Sequence, residues 1–171
     1  MKIIHKISIS SAMAALATIL NLLSVRTDTN LYSIYALPLL ISGILYGPLV
    51  GSLTGFATGF IVQLCTYGLQ PTTFLWLMAP ISWGLVSGLI AKLFKYKINK
   101  LIIALEVSLS SIIALILNSL GMILDGLIYN YSTAFVYAGL LLRVGVSIIV
   151  GIFYFAMLSL IMPRIMFLKQ K

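Results

Sequence analysis

The sequence predicts an all-α integral membrane protein with six transmembrane helices and both termini in the cytoplasm. Three observations carry that prediction. Of the 171 residues, 61% are apolar and only 8% are charged, with a mean hydropathy of +1.15, whereas a soluble domain carries about 25% charged residues. The apolar runs approach about 20 residues without strict alternation, the length and texture of spanning helices rather than barrel strands. The basic residues, finally, are distributed unevenly between the two sides such a topology creates.

Six segments can be marked by apolar length and by polar, Gly and Pro punctuation: Ile7–Val25, Ile34–Tyr46, Leu49–Tyr67, Thr73–Phe94, Leu101–Leu124 and Gly139–Met166. The first follows Lys2 and Lys6 as a signal peptide would, but no small-residue cleavage site leads into a soluble domain, so it is kept as a span. The second is short for a crossing, and a tilted, partly buried or broken helix is expected there. Gly47–Pro48 must form a tight turn, since Pro suits the first position of a new helix and obstructs the old one. Lys92, Lys95, Lys97 and Lys100 form a short basic loop before the fifth segment. No long insertion or low-complexity tract interrupts this pattern, and residues 1–171 read as one compact transmembrane helical domain.

With the N-terminus inside, nine of the eleven basic residues fall on the cytoplasmic side: Lys2, Lys6, Lys92, Lys95, Lys97, Lys100, Arg164, Lys169 and Lys171. Only Arg26 and Arg143 do not. This is the asymmetry of the positive-inside rule, so the net charge of +8 orients the protein and attracts anionic lipid rather than nucleic acid.

Several kinds of chemistry are disfavoured. There is no phosphate-binding GxxxxGK[ST] loop, one cysteine, Cys65, and one histidine, His5. The three acids, Asp28, Glu106 and Asp125, form no spaced pair. No metal site, cofactor site or catalytic motif is expected, and ATP hydrolysis would have to come from another subunit. Glu106, near the cytoplasm, is expected to be structural and within reach of Lys100.

Gly43, Gly47, Gly51, Gly55 and Gly59 recur every fourth residue, and Gly84 and Gly88 repeat the spacing on the fourth helix. Missing side chains at this spacing let helix backbones approach closely, most simply within the monomer. On the first helix, Ser8/Ala12 and Ser11/Ala15 form small-xxx-small pairs, and the Ser-Ala-Met-Ala-Ala-Leu-Ala stretch around them offers more small surface than one internal contact needs. A docking face for another membrane protein is the sharper reading.

Polar residues gather at the outer ends: Asn21, Arg26, Asp28, Asn30, Gln70, Thr72, Asp125, Asn130 and Arg143. An outward-facing pocket would collect them. Arg143 runs into a long apolar helix, where it needs a carboxylate, carbonyls or a ligand, and Asp125 is either its ion-pair partner or part of the pocket. Trp76 and Trp83 share a face of the fourth helix, with Pro80 between them to bend it and free a carbonyl. Trp83 suits the wall of a site for a flat heterocycle, while Trp76 is either a second wall or an interfacial anchor. Asn118, about two turns below the outer end of the fifth helix, is expected to be a buried amide that requires partners.

The stretch from Leu37 to Phe56, Leu-Pro-Leu-Leu-Ile-Ser-Gly-Ile-Leu-Tyr-Gly-Pro-Leu-Val-Gly-Ser-Leu-Thr-Gly-Phe, resembles the S components of energy-coupling factor vitamin transporters, whose second and third helices commonly meet at a Phe/Tyr-Gly-Pro turn followed by spaced glycines. Length, layout, orientation and the basic loop agree along the whole chain, and the general, folate-like branch looks closest. The resemblance implies a multi-pass subunit of a bacterial cell membrane that captures a vitamin from outside, in a pocket made by the fourth to sixth helices and the first, third and fifth loops. It further implies association with a transmembrane coupling protein and two ATPases, and toppling in the bilayer to release the cargo. The family's Ala-x-x-x-Ala docking motif is matched loosely, by Ser8, Ser11, Ala12 and Ala15. Mapped by loop and helix, Arg26, Trp76, Trp83, Asn118, Asp125 and Arg143 are the pocket candidates. Two arginines suit a carboxylate-bearing vitamin such as folate or pantothenate, but Asp28 and Asp125 balance their charge, so a neutral pyrimidine or pyridine is the other option. A small autonomous transporter or channel for a heterocyclic solute is the alternative function, for which an acid in mid-membrane would be expected.

Overall fold

A computed structural model describes residues 3–26, 31–32, 34–97 and 99–169. The described residues form six helices, α1 (Ile3–Leu22), α2 (Ala36–Tyr46), α3 (Pro48–Thr66), α4 (Thr73–Leu93), α5 (Lys100–Ile128) and α6 (Thr133–Lys169). Between α1 and α2, strands β1 (Val25–Arg26) and β2 (Leu31–Tyr32) pair antiparallel, Val25 opposite Tyr32. Among the described residues, five helices are long and apolar enough to cross a membrane.

The exception is α2. Its 11 residues reach roughly 16 Å at 1.5 Å per residue, about half of a hydrocarbon core. Eight of them are buried, including Leu39, Leu40 and Ile44. The short second segment is therefore a core helix enclosed by its neighbours, which explains an apolar run too brief to span lipid.

Local chemistry sets most boundaries. Gly47 adopts φ +92 at the α2–α3 junction, a conformation that favours glycine, and Pro48 opens α3 at N1. Asn99 caps α5, its side-chain oxygen accepting from the Ile102 N–H at 2.8 Å. The Phe135 N–H donates to Ser132 Oγ at 3.3 Å at the start of α6. Thus α5 runs on to Ile128 and α6 begins at Thr133, several residues outside the bounds drawn from apolar length. A 37-residue helix extends roughly 55 Å, and its ends outreach the hydrocarbon whose thickness apolar length measures.

Glycines weld the centre. A Cβ on Gly51 would overlap the Gly84 carbonyl, and one on Gly55 the Pro80 carbonyl, so α3 and α4 touch backbone to backbone. Gly43 of α2 closes on Gly84 and Ser87. The spaced glycines do serve packing within the monomer.

The Ser10 hydroxyl donates to the Val50 carbonyl at 3.3 Å, and the Tyr96 hydroxyl lies against Gly47. The start of α1, the α2–α3 junction and the basic loop thus gather at one end of the bundle. A short link joins the packed helices α5 and α6, so α6 returns to that same end. The C-terminal ends of α3 and α5 and the start of α4 lie opposite. Outward surfaces are apolar, with Leu141, Ile149 and Ile152 exposed on α6, as a lipid-facing helix requires.

Glu106 is 1% exposed, and its Oε2 has no hydrogen-bond partner. The expected reach to Lys100 does not occur. Lys100 begins α5 in an exposed position, whereas Glu106 turns inward more than one turn later.

Candidate ligand-binding cavity

At the end opposite the basic loop lies a cavity of about 230 Å³, below the roughly 300–1,000 Å³ of most small-molecule pockets. Asn21 of α1, Tyr35 at the head of α2 and residues of α3 to α6 line it. The inner part is aromatic. Trp83 and Tyr154 meet edge to face at 5.5 Å; Trp83 is 7% exposed and Tyr154 1%. The indole N–H of Trp83 donates to the Tyr35 hydroxyl, and the Tyr154 hydroxyl accepts from the Ala36 backbone N–H. Both rings are therefore oriented from the entry of α2, which gives that short helix a role in shaping the site.

Beside them, Thr58 donates to the Thr54 carbonyl at 2.8 Å and approaches the Ala14 carbonyl at 3.5 Å, so its hydroxyl is already committed. Pro80 completes this wall; lacking an N–H, it cannot satisfy the carbonyl of Trp76 one turn back.

The outer part is polar and built around Trp76. Its indole N–H donates to Asp125 Oδ2 at 2.9 Å. The Arg143 guanidinium carbon sits 5.2 Å from the ring centroid, a cation–π geometry, and Arg143 Nη1 donates to the Asn118 carbonyl at 2.9 Å. Gly121 leaves room for the ring, since a Cβ there would come within 3.3 Å of it. Asp125 and Arg143, one of the pairings the sequence allows, do not meet directly: Trp76 lies between them and interacts with both.

The structure brings Trp76, Trp83, Asn118 and Arg143 together around the cavity. Asp125 stands behind Trp76 and does not line it. Arg26 lies in β1, but its side chain is outside the described residues, as are Asp28 and Asn30. Thr72 is buried at the head of α4 away from the cavity, and Gln70 and Asn130 also do not line it.

Sequence reasoning passed over Gln63, Tyr35 and Tyr154. Gln63 carried a usable sign, an amide within the glycine-patterned apolar helix. The tyrosines carried none, because nothing in local spacing shows that the head of α2 meets the middle of α6. Among the described residues, three polar atoms of cavity-lining residues have no hydrogen-bond partner: Asn21 Oδ1, Gln63 Nε2 and Arg143 Nε. Buried polar atoms left unpaired in this way are costly to the folded protein.

A family model described as ECF-type riboflavin transporter, S component, matches residues 1–164. The chain belongs to that family. Comparison with curated proteins gave no match. This S component is accordingly a multi-pass membrane protein of a transporter family, a substrate-binding subunit rather than a member of a catalytic family. The match supports the S-component assignment made from the glycine-rich turn; it lends nothing to a folate-like branch.

Proposed function

We propose that this chain captures riboflavin outside the cell and delivers it across the cell membrane as the S component of an ATP-driven energy-coupling factor transporter. The observation that carries the reading is a cavity lined by aromatic residues at one end and by Arg143 and Asn118 at the other, in a chain matched along residues 1–164 by a riboflavin S-component family. A flat, uncharged heterocycle suits a cavity lined by Trp76 and Trp83, because aromatic rings stack favourably and no net ligand charge has to be compensated. In this reading Arg143 and Asn118 contact the ligand, Trp76 and Trp83 hold its faces, Asp125 positions Trp76, and Arg26 contributes from the first loop. The folate option has less support, since the arginine seen in the cavity is already engaged by a carbonyl and a ring.

The topology proposed with it has six membrane segments in one domain, the lysine-rich end facing the cytoplasm and the cavity facing outward. The partners are a transmembrane coupling protein and two ATPases. Ser8, Ser11, Ala12 and Ala15 are exposed, while α1 packs inward through Ser10, Ala14, Ala17, Thr18 and Asn21. That leaves the small-residue face free to meet the coupling protein. Glu106 is buried but off the cavity, so among the described residues no acid lines the cavity where an autonomous proton-coupled carrier would place one beside its solute.

Reconstitution tests the proposal. The purified chain in liposomes should bind one riboflavin per molecule yet accumulate it only when the coupling protein, the ATPases and ATP are present. Uptake by the chain alone would overturn it.

A further inference from the structure

We infer that the cleft between α5 and α6 holds one acyl chain of an acidic phospholipid from the leaflet at the basic-loop end, with the lipid phosphate at Lys100. The inference needs the chain's place in a membrane and not the identity of the vitamin.

A second cavity, of about 420 Å³, runs between the two helices, lined from Ala104 to Leu115 on α5 and from Ser147 to Phe155 on α6. Along α5 that is roughly 16 Å, about the depth of one leaflet of a hydrocarbon core. The lining is mostly apolar, and three of its residues, Ile112, Ile148 and Ile152, are exposed and continuous with the lipid-facing surface. Among the described residues, a Cβ on Gly151 would have Ser111 Oγ, at 3.8 Å, as its one neighbour from another element within 4 Å, so the cleft is open at that point.

Chemistry selects the occupant. A water molecule needs two to four polar partners, and the side chains here offer the hydroxyls of Ser108, Ser111 and Ser147, of which that of Ser147 already donates to the Val144 carbonyl at 2.8 Å. The polar groups of a vitamin meet the same shortage. Hydrocarbon needs no such partner and gains the contacts that an empty groove forfeits. Lys100 precedes Ala104 by four residues, so it stands on the same face of α5 one turn nearer the membrane surface; it is exposed, and an ammonium there attracts an acidic headgroup. Lys92, Lys95 and Lys97 add positive charge at that end. Ser111, Leu115 and Ser147 line both this cleft and the ligand cavity. The partition between the two is therefore one side chain thick there, and the acyl chain braces it from the lipid side.

Photolabelling tests this with the full chain in phosphatidylcholine liposomes that contain a trace of phosphatidylglycerol carrying a diazirine at the end of one acyl chain. Labelled residues are mapped by mass spectrometry. Ile149, exposed on α6 and outside the cleft, reports ordinary contact with lipid. Leu115 is only half-buried within the cleft and should be labelled at least as strongly as Ile149. Gly151→Phe, which fills the cleft, should remove the Leu115 label and leave that of Ile149. The same diazirine on phosphatidylcholine should label Leu115 about fivefold less, and Lys100→Ala should erase that preference. Label at Ile149 with none at Leu115 would overturn the inference, as would a Leu115 label that survives in Gly151→Phe. Equal labelling of Leu115 by the two lipids would overturn the headgroup contact at Lys100. A Leu115 label abolished by riboflavin would give the cleft to the vitamin instead.

Discussion

Trp76 donates its indole N–H to Asp125 Oδ2 at 2.9 Å, and this bond turns a tryptophan suited to anchoring a membrane interface into a wall of the cavity. Loss of the donor should therefore be felt at the site. Trp76→Phe leaves the ring but strands a part-buried carboxylate, a cost of roughly 1–3 kcal/mol. Asp125→Asn keeps an acceptor of the same shape. Riboflavin affinity should fall about tenfold in Trp76→Phe and less in Asp125→Asn, as read by calorimetric titration.

The role proposed for Arg143 depends on shape as much as charge. Its guanidinium spans the Asn118 carbonyl and the Trp76 face, which an ammonium group cannot do with one planar group. Arg143→Lys should then bind riboflavin about as poorly as Arg143→Ala, in the same titration. Full affinity in the lysine variant would show that charge alone suffices.

The α3–α4 weld can be tested without ligand. Gly51→Ala places a methyl against the Gly84 backbone, which cannot yield as a side chain would, and should cost about 1–3 kcal/mol of stability. Gly145→Ala meets nothing within 4 Å and should be neutral or slightly stabilising through helix propensity. Thermal unfolding in detergent, followed by circular dichroism, should separate the two.

Docking through α1 makes a different kind of claim. Ser11→Trp and Ala15→Trp enlarge an exposed face remote from the cavity. Riboflavin binding by the isolated subunit should be unchanged, while ATP-driven uptake by the reconstituted complex should fall by about tenfold or more, because interhelical docking in lipid depends on close backbone approach. Normal uptake in both variants would place the coupling protein elsewhere.

Much of the helix layout was legible from the chain because hydrocarbon imposes one stringent rule, internal pairing of every backbone polar group, and composition reveals where that rule applies. The glycine spacing on α3 and the proline after Gly47 located the closest packing and the tightest turn for the same reason: each is a local steric requirement. Helix ends were less legible. Asn99, Ser132 and the length of α6 reflect capping and chain beyond the bilayer, to which an apolar count is blind.

For the cavity the division is sharper. Residue type and depth nominated Trp76, Trp83, Asn118 and Arg143, since an aromatic or polar group in lipid needs a reason to be there. Spacing had no means of showing that Trp76 separates Asp125 from Arg143, or that Tyr35 and Tyr154 hold the inner wall through contacts with α4 and with the entry of α2. By itself the sequence determined that lipid surrounds this chain, how its segments divide and where glycine lets helices touch, all consequences of solvent and local sterics. Only the tertiary structure decided which polar groups satisfy one another and which residues meet around the cavity, because hydrogen-bond partnership depends on side chains from helices far apart in the chain.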